Sequence, residues 1–433
     1  MYKKMLAKCM CLICICLLQT KTYAQQTNYT APADTLKLDI KQAEKMFLDN
    51  NLQLLAQHYN IQSSQALVEQ AKKWDNPILN TDQNVYANNH FFEHGTDAAG
   101  NPQGEVYVQV QQIIKTAGKR GKQIALARTG VNQAEWEFKA TMRTLHLTLV
   151  TDFYTIAQLQ GNATLYEDNM QRLTKLVSAM QAQYNTGDIA KKEYLRVQAL
   201  TVSLQQDMVD NAKSLEDVQS EIKTLLRITG NTFIQPTVDE INVTQPDMAI
   251  VELIDTAKMY NTDYQQEVYE LQYQKQNHAL QKALAVPDVT FGPEFDQAAN
   301  YAPNYVGLAI SLPLPVWDRN QGNIKSSKYQ VKQEEANLQQ ADVKLQNDVM
   351  NAYKKLLFTL QLSSGSNKQF YKDYYQIYNN IVDAYDKRQI SLLEFLDYFS
   401  DYENTREQEL EQALNLRIAK ENLNDVVGID IIH

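Results

Sequence analysis

The stretch Tyr184-Asn-Thr-Gly187-Asp-Ile189-Ala-Lys-Lys-Glu193-Tyr194-Leu195 returns 201 positions later as Tyr385-Asp-Lys-Arg388-Gln-Ile390-Ser-Leu-Leu-Glu394-Phe395-Leu396. Tyrosine, isoleucine, glutamate, an aromatic and leucine keep their places. Each copy reads as a tight turn between two helices. On the rising side of the first, Phe138, Met142, Leu145, Leu149, Asp152, Ile156, Leu159 and onward to Tyr184 recur at alternating spacings of four and three. That sustained 3.5-residue period is a coiled-coil seam. It predicts one helix from Lys119 to about Tyr184, roughly 100 Å long at 1.5 Å per residue. Beyond Gly187 the seam returns through Tyr194, Val197, Leu204, Asn211 and Leu225. The second copy predicts a helix from about Arg319 to Asp386, a turn, and a helix to Val427. Kinks are expected at Gly161 and at Ser363-Ser364-Gly365, where the breakers fall.

The duplication extends upstream. Asn51 to Pro77 aligns without gaps on Asn261 to Pro287, matching Tyr59 with Tyr269 and Lys72 with Lys282, and Gly121 aligns with Gly322. The chain divides into a signal peptide (1–24), a first unit (25–228), a linker (229–247, with Pro236 and Pro246) and a second unit (248–433). Each unit opens with a helix, 36–74 or 248–285, that Asn76-Pro77 or Val286-Pro287 stops. Two strand-like segments then precede each long hairpin. Val106, Val108 and Val110 alternate with Tyr107, Gln109 and Gln111; Val289, Phe291 and Phe295 with Thr290, Gly292 and Glu294; Val306, Leu308 and Ile310 with Gly307, Ala309 and Ser311. This is period two, with one greasy face. Ile78 to Asn88 alternates poorly and is assigned as a strand by analogy with its copy.

Composition agrees. Fourteen glycines and ten prolines in 433 residues are about half the usual share of roughly 12%, so long helices are favoured over a many-stranded fold. A mean hydropathy of −0.46 excludes a polytopic helical membrane protein. The net charge of −10 argues against a nucleic-acid partner, which needs clustered Lys and Arg. Lys3, Lys4 and Lys8, the apolar run Cys9 to Leu18 and the Thr22-Tyr23-Ala24 cleavage pattern read as an export signal. All four cysteines (Cys9, Cys11, Cys14, Cys16) lie inside it. A lipoprotein signal would need a small residue before the acceptor cysteine, whereas Ile13 and Ile15 precede Cys14 and Cys16. The mature chain is expected to lack thiols and to carry 37 basic against 51 acidic residues, −14.

Strands with one greasy and one wet face fit a transmembrane β-barrel, whose residues alternate between lipid and lumen. Four strands cannot close one, since the smallest barrels have about eight, so the chain must oligomerise. The alternative is a periplasmic coiled-coil structural protein with β-hairpins packed at one end.

The order helix, two strands, long helix, turn, helix, given twice, resembles the TolC-like outer-membrane efflux proteins over essentially the whole mature chain. Their motif Tyr-x-x-Gly-x-[apolar or Arg]-x-x-x-acid-x-Leu is similar to Tyr184–Leu195 and Tyr385–Leu396. Gly118-Lys119-Arg120-Gly121 and Leu312-Pro-Leu-Pro315-Val-Trp-Asp-Arg-Asn320-Gln-Gly322 resemble the CzcC-type heavy-metal branch. The resemblance implies a mainly α fold with a membrane β-barrel: a homotrimer with a 12-helix tunnel topped by one 12-stranded outer-membrane barrel, four strands per chain. It implies as partners a periplasmic adaptor and an inner-membrane pump of the RND class, with outer-membrane lipid around the barrel. The implied function is passive export, of metal cations or, alternatively, of drugs, dyes or secreted polypeptides. No catalytic motif or cofactor site opposes this. Gly118-Lys119-Arg120-Gly121 lacks the spacing of a phosphate loop and reads as a turn and helix start.

Glu394 and Asp397, three apart on one helix face, would form acidic rings at a threefold entrance, attracting cations. By motif position Glu193 and Tyr385 match the family's closing pair, although Ile390 stands where some members carry arginine, and Arg388 where the first copy has glycine. The turns, with Tyr184, Gly187, Asp188, Ile189, Arg388, Gln389 and Ile390, are where an adaptor would dock. His90-Phe-Phe-Glu93-His94 has helical metal-ligand spacing but falls between strands, where it reads as a plain extracellular loop. Trp74 and Trp317, beside strand ends, suit either a membrane-interface belt or ordinary packing.

Overall fold

The computed structural model describes residues 34–87, 89–100, 102–239, 243–299, 302–363 and 365–432. The expected signal peptide, residues 1–24, lies outside them. The chain begins with β1 (Asp34–Leu38), α1 (Ile40–Asn50) and α2 (Leu52–Ala71), then β2 (Ile78–Gln83). The short strands β3 (Tyr86–Ala87), β4 (His90–Phe91), β5 (Gly95–Thr96) and β6 (Pro102–Gln103) lead to β7 (Val106–Ile114). Helices α3 (Lys119–Thr186) and α4 (Lys191–Leu226) form the first hairpin, followed by β8 (Thr232–Pro236). The second half runs α5 (Ile250–Tyr260), α6 (Thr262–Leu284), β9 (Val289–Asp296), β10 (Tyr305–Ser311), α7 (Gln321–Leu362), α8 (Gly365–Asp386) and α9 (Leu392–Val427).

Helix α3 is unbroken over 68 residues, and every seam residue from Phe138 to Tyr184 is buried or half-buried. The helix continues through Gly161 without a break. Its missing side chain admits Leu410, whose Cδ2 would lie 2.9 Å from a Cβ there. The second hairpin does break, at Ser363, before α8 resumes at Gly365.

Each opening helix expected from the sequence is two helices. Asn51 and Asn261 interrupt them with extended backbone, ψ 120° and 126°. Both carboxamides cap the next helix: Asn51 Oδ1 accepts from Gln53 and Leu54 N–H, and Asn261 Oδ1 from Tyr264 N–H. Their amino groups donate to carbonyls at the ends of α4 and α9, Asn51 to Leu225 at 3.0 Å and Asn261 to Val426 at 2.9 Å. Orphaned helix-end groups are thereby satisfied at both breaks. The segment expected as a linker contains β8, which pairs in parallel with β1 from Asp34↔Thr232 to Leu38↔Pro236. Residues 36–38, expected as helix, belong to that sheet.

Strands β10, β9, β7 and β2 form one antiparallel sheet in that order. The register puts Thr81, Val108, Phe295 and Val306 in one row and joins Leu79 to Val110 in the next. Leu308, opposite Pro293, and Ile310, opposite Phe291, continue the same face. Leu79, Val110, Phe291, Phe295, Val306, Leu308 and Ile310 are all exposed in the single chain. The opposite face is polar: Asn80 donates to Gln109 at 3.2 Å, and Tyr107 and Gln109 donate to Glu294 at 3.0 and 2.9 Å. Among the described residues β2 and β10 have no outer neighbour in the sheet, and no helix is long and apolar enough to cross a membrane.

Candidate functional site: the paired helical tips

The chain has two tips, and one backbone solution builds both. At the first, Gly187 is left-handed (φ 82°), its N–H reaches the Tyr184 carbonyl, and Asp188 N–H closes on Gln183 at 2.8 Å. At the second, Arg388 is left-handed (φ 58°), its N–H reaches Tyr385, and Gln389 N–H closes on Ala384 at 2.8 Å. These are Schellman closures, satisfying the last carbonyls of each rising helix. The second returning helix starts at a side-chain cap, Ser391 Oγ accepting from Glu394 N–H, whereas the first starts at Ala190 without one, and in its turn Asp188 accepts from the Thr186 hydroxyl.

One core joins the two tips. Leu173, Met180, Tyr194, Val197, Tyr378, Phe395, Leu396 and Phe399 are buried together, with Ile189 and Ile390 packed on their edge. Tyr184 stacks on Tyr194 (5.9 Å, 5°) and Tyr385 on Phe395 (4.7 Å, 27°). A groove of about 620 Å³ runs between the tips, lined by Arg172, Asp188, Ile189, Tyr385, Arg388 and Ile390 among others. Thus the structure brings five of the sequence-nominated residues to one groove. Gly187 and Gln389 flank it. Glu193 stands in the first turn of α4, outside the residues that line this groove.

Glu394 and Asp397 share an exposed face of α9. With Ser391, Tyr398 and Asp401 they line a shallow depression of about 360 Å³. Asp401 was missed in the sequence, although its spacing of four from Asp397 is the signal that places it on this face.

Above the tips lies a buried polar seam that the heptad reading also missed. Tyr166 donates to Glu407 at 2.5 Å and Asn169 to Glu403 at 3.2 Å, bridging α3 and α9. Burial, with the Glu407 charge nearby, pushes the Glu403 carboxyl up to about 7 despite the Asn169 bond. Burial does the same to Asp152, also raised to about 7, with Glu221 adding repulsion. The signal was present in the pattern: Asp152 and Asn211 are polar residues at seam positions.

At the other end of α3, Lys119 is 3% exposed and joins the two halves. Its Nζ lies 2.6 Å from Asp288 Oδ1 and 2.5 Å from the Val286 carbonyl, while Thr116 N–H donates to the same carboxylate at 2.8 Å. Gly118-Lys119-Arg120-Gly121 is thus a turn and helix start that anchors the strand base. Arg120 sits 4.4 Å over the exposed Trp74 ring, and Trp317, at 89%, is also exposed. His90 falls in β4, and no group of three His, Cys, Asp or Glu that could hold a metal occurs among the described residues.

The fold is thus two long helical hairpins joined at their tips, with one open four-stranded sheet at the other end. The model of the outer membrane efflux protein family matches residues 45–230 and again 253–429, and the chain belongs to that family. It is an outer-membrane efflux channel of the TolC-like kind, reaching into the periplasm, and not an enzyme. This removes the periplasmic structural protein as an alternative. Solved structures with the same fold include the CmeC outer membrane channel of Campylobacter jejuni (TM-score 0.72, 12% identity, 90% of this chain and 85% of that one). CusC is similar at TM-score 0.72 and 15% identity over 93% and 96% of the two chains. VceC of Vibrio cholerae is similar at 0.68 and 15% over 90% and 96%. No curated protein matches the sequence.

Proposed function

We propose that three copies of this chain close one 12-stranded barrel over a 12-helix tunnel and conduct cations outward. The observation that carries the assembly is the four-stranded sheet, apolar on one face and polar on the other, with β2 and β10 open at its edges. Unpaired strand edges cannot stand in lipid, and joining β10 of one copy to β2 of the next closes them all. Trp74 and Trp317 would mark the lower membrane boundary. The two units, 25–228 and 248–433 with the linker 229–247 between them, would contribute equivalent halves of each protomer's wall.

The substrate reading rests on charge. Asp82, Glu294 and Asp296 lie on the polar face of the sheet, and strands β2, β7, β9 and β10 contain no Lys or Arg. Glu394 and Asp397 would add acidic rings at the entrance, narrowed by Glu193 and Tyr385 across protomers. Together with the two segments resembling the heavy-metal branch, this favours metal cations. A periplasmic adaptor would dock on the tip turns at Tyr184, Gly187, Asp188, Ile189, Arg388, Gln389 and Ile390, and an RND-class pump would supply the energy. Purified protein carrying Glu394→Gln with Asp397→Asn is expected to lose part of its cation preference, read as a reversal-potential shift under a salt gradient in planar bilayers. An unchanged reversal potential would remove the rings from the mechanism.

A further inference from the structure

The two strand-to-strand connections differ. In the second half the chain crosses from β9 to β10 over residues 297–304, whereas β2 and β7 are joined over 84–105. The long connection is folded. Tyr86↔Phe91 and Ala87↔His90 pair as a small hairpin, extended by Phe92 N–H to the Val85 carbonyl at 2.9 Å, and Gly95↔Gln103 opens a second. Asn84 ties both to the strand ends: its Nδ2 donates to the Glu93 carbonyl at 3.2 Å, and its Oδ1 accepts from Glu105 N–H at 2.7 Å. The Tyr86 ring packs tilted against Phe91, centroids 4.8 Å apart, and its hydroxyl donates to Asn89.

The described part of this loop presents a greasy surface. Phe91 is 73% and Phe92 61% exposed, and Val85 and Tyr86 are exposed beside them. Contiguous exposed apolar groups mark a surface that something covers. The loop leaves the sheet one residue after β2, the free edge that a neighbouring copy must join, so the nearest body to it in the assembly is another copy of this chain. Lipid is a poor occupant, because His90, Glu93, His94 and Asn89 are interleaved with the aromatics.

We propose that the 84–105 loop is an outer closure: three copies meet over the mouth of the barrel, with Phe91 and Phe92 forming an apolar constriction. Such a constriction gates by excluding water. It would act at the opposite end of the duct from the tips, keeping external solutes out until efflux pressure parts the loops. This rests on the trimer reading, and the test separates the two.

The mature chain is expected to have no cysteine, so Phe91→Cys introduces a single thiol. On unheated gels the variant is expected to run as a trimer, and mild oxidation is expected to give a heat-stable covalent dimer. A trimer whose thiol stays unlinked and reacts freely with an impermeant maleimide on intact cells would overturn the closure and leave the trimer standing. Absence of any trimer would overturn both. In planar bilayers Phe91→Ser with Phe92→Ser is expected to raise single-channel conductance roughly twofold; unchanged conductance would also overturn the closure.

Discussion

The two halves of this chain repeat their backbone far more faithfully than their side chains. At the tips Gly187 and Arg388 hold the same left-handed turn and the same pair of closing hydrogen bonds. At the opposite ends of the returning helices, Arg227 (φ 56°) and Gly428 (φ 88°) are left-handed again, with glycine and arginine exchanged; Arg227 repeats the closing pair, whereas Gly428 N–H reaches both the Asn424 and Asp425 carbonyls. Backbone groups at a helix end must be satisfied whatever residue stands there, and the left-handed turn does this. Arginine bears a strain of about 1 kcal/mol in that conformation, so it is tolerated where the surroundings leave room. Where they do not, glycine is required. A Cβ on Gly428 would lie 2.3 Å from the Tyr260 carbonyl oxygen and 2.7 Å from Asn261 N, whereas one on Gly187 would meet nothing within 4 Å.

That contrast is open to direct attack. The largest effect is expected for Gly428→Ala, where strained backbone and a clash with the α5–α6 break act together, costing about 3 kcal/mol. Thermal denaturation in detergent should show a clear drop, while Gly187→Ala should lose only about 1 kcal/mol. Equal losses at the two sites would sink the distinction.

Next come the two asparagines. Asn51→Ala removes a helix cap and leaves the Leu225 carbonyl without its partner, for about 2 kcal/mol. Asn261→Ala is expected to fall slightly less, because its site is only half-buried. Both breaks occur at the Asn that opens the aligned segments 51–77 and 261–287, so the repeat marked the right residues. The break itself was not legible. An asparagine inside a helical pattern becomes a cap only when α4 or α9 presents a carbonyl for its amino group.

A smaller, pH-dependent difference separates the halves near their mutual contact. Glu403 has a folded pKa raised above its ordinary carboxylate value, to about 7. Between roughly pH 4.5 and 7 the folded chain therefore binds more protons than the unfolded one, and stability contributed by this group falls as pH rises. Amide exchange in α9 is expected to quicken from pH 5 to pH 7.5 beyond the intrinsic rate. Glu403→Gln should flatten that dependence, apart from a similar contribution of Asp152, which acts in the same direction. A variant that keeps the full slope would place the titration elsewhere.

The smallest effect is at the second tip. Arg388→Gly is expected to stabilise the turn by up to about 1 kcal/mol by relieving left-handed strain. Local exchange at Gln389 and Ile390 is the appropriate readout, and faster exchange would show that the arginine side chain contributes more than its backbone costs.

The sequence by itself determined the duplication, the lengths of the hairpins, the turn positions, three of the four sheet strands and the face that each presents. These are local periodic properties: a 3.5 or 2.0 residue repeat specifies which side chains share a side, whatever lies opposite. Tertiary structure alone decided the rest. It made 229–247 more than a linker, because Thr232–Pro236 is a strand only with Asp34–Leu38 to pair with. It gave Gly161 its role inside the continuous α3, because Leu410 fills the space that glycine leaves. It set the polar row in which buried Tyr166 and Asn169 meet half-buried Glu403 and Glu407, because polar groups on α3 are costly until α9 supplies partners. Periodicity names a face; only the neighbour placed against that face decides what its polar members do.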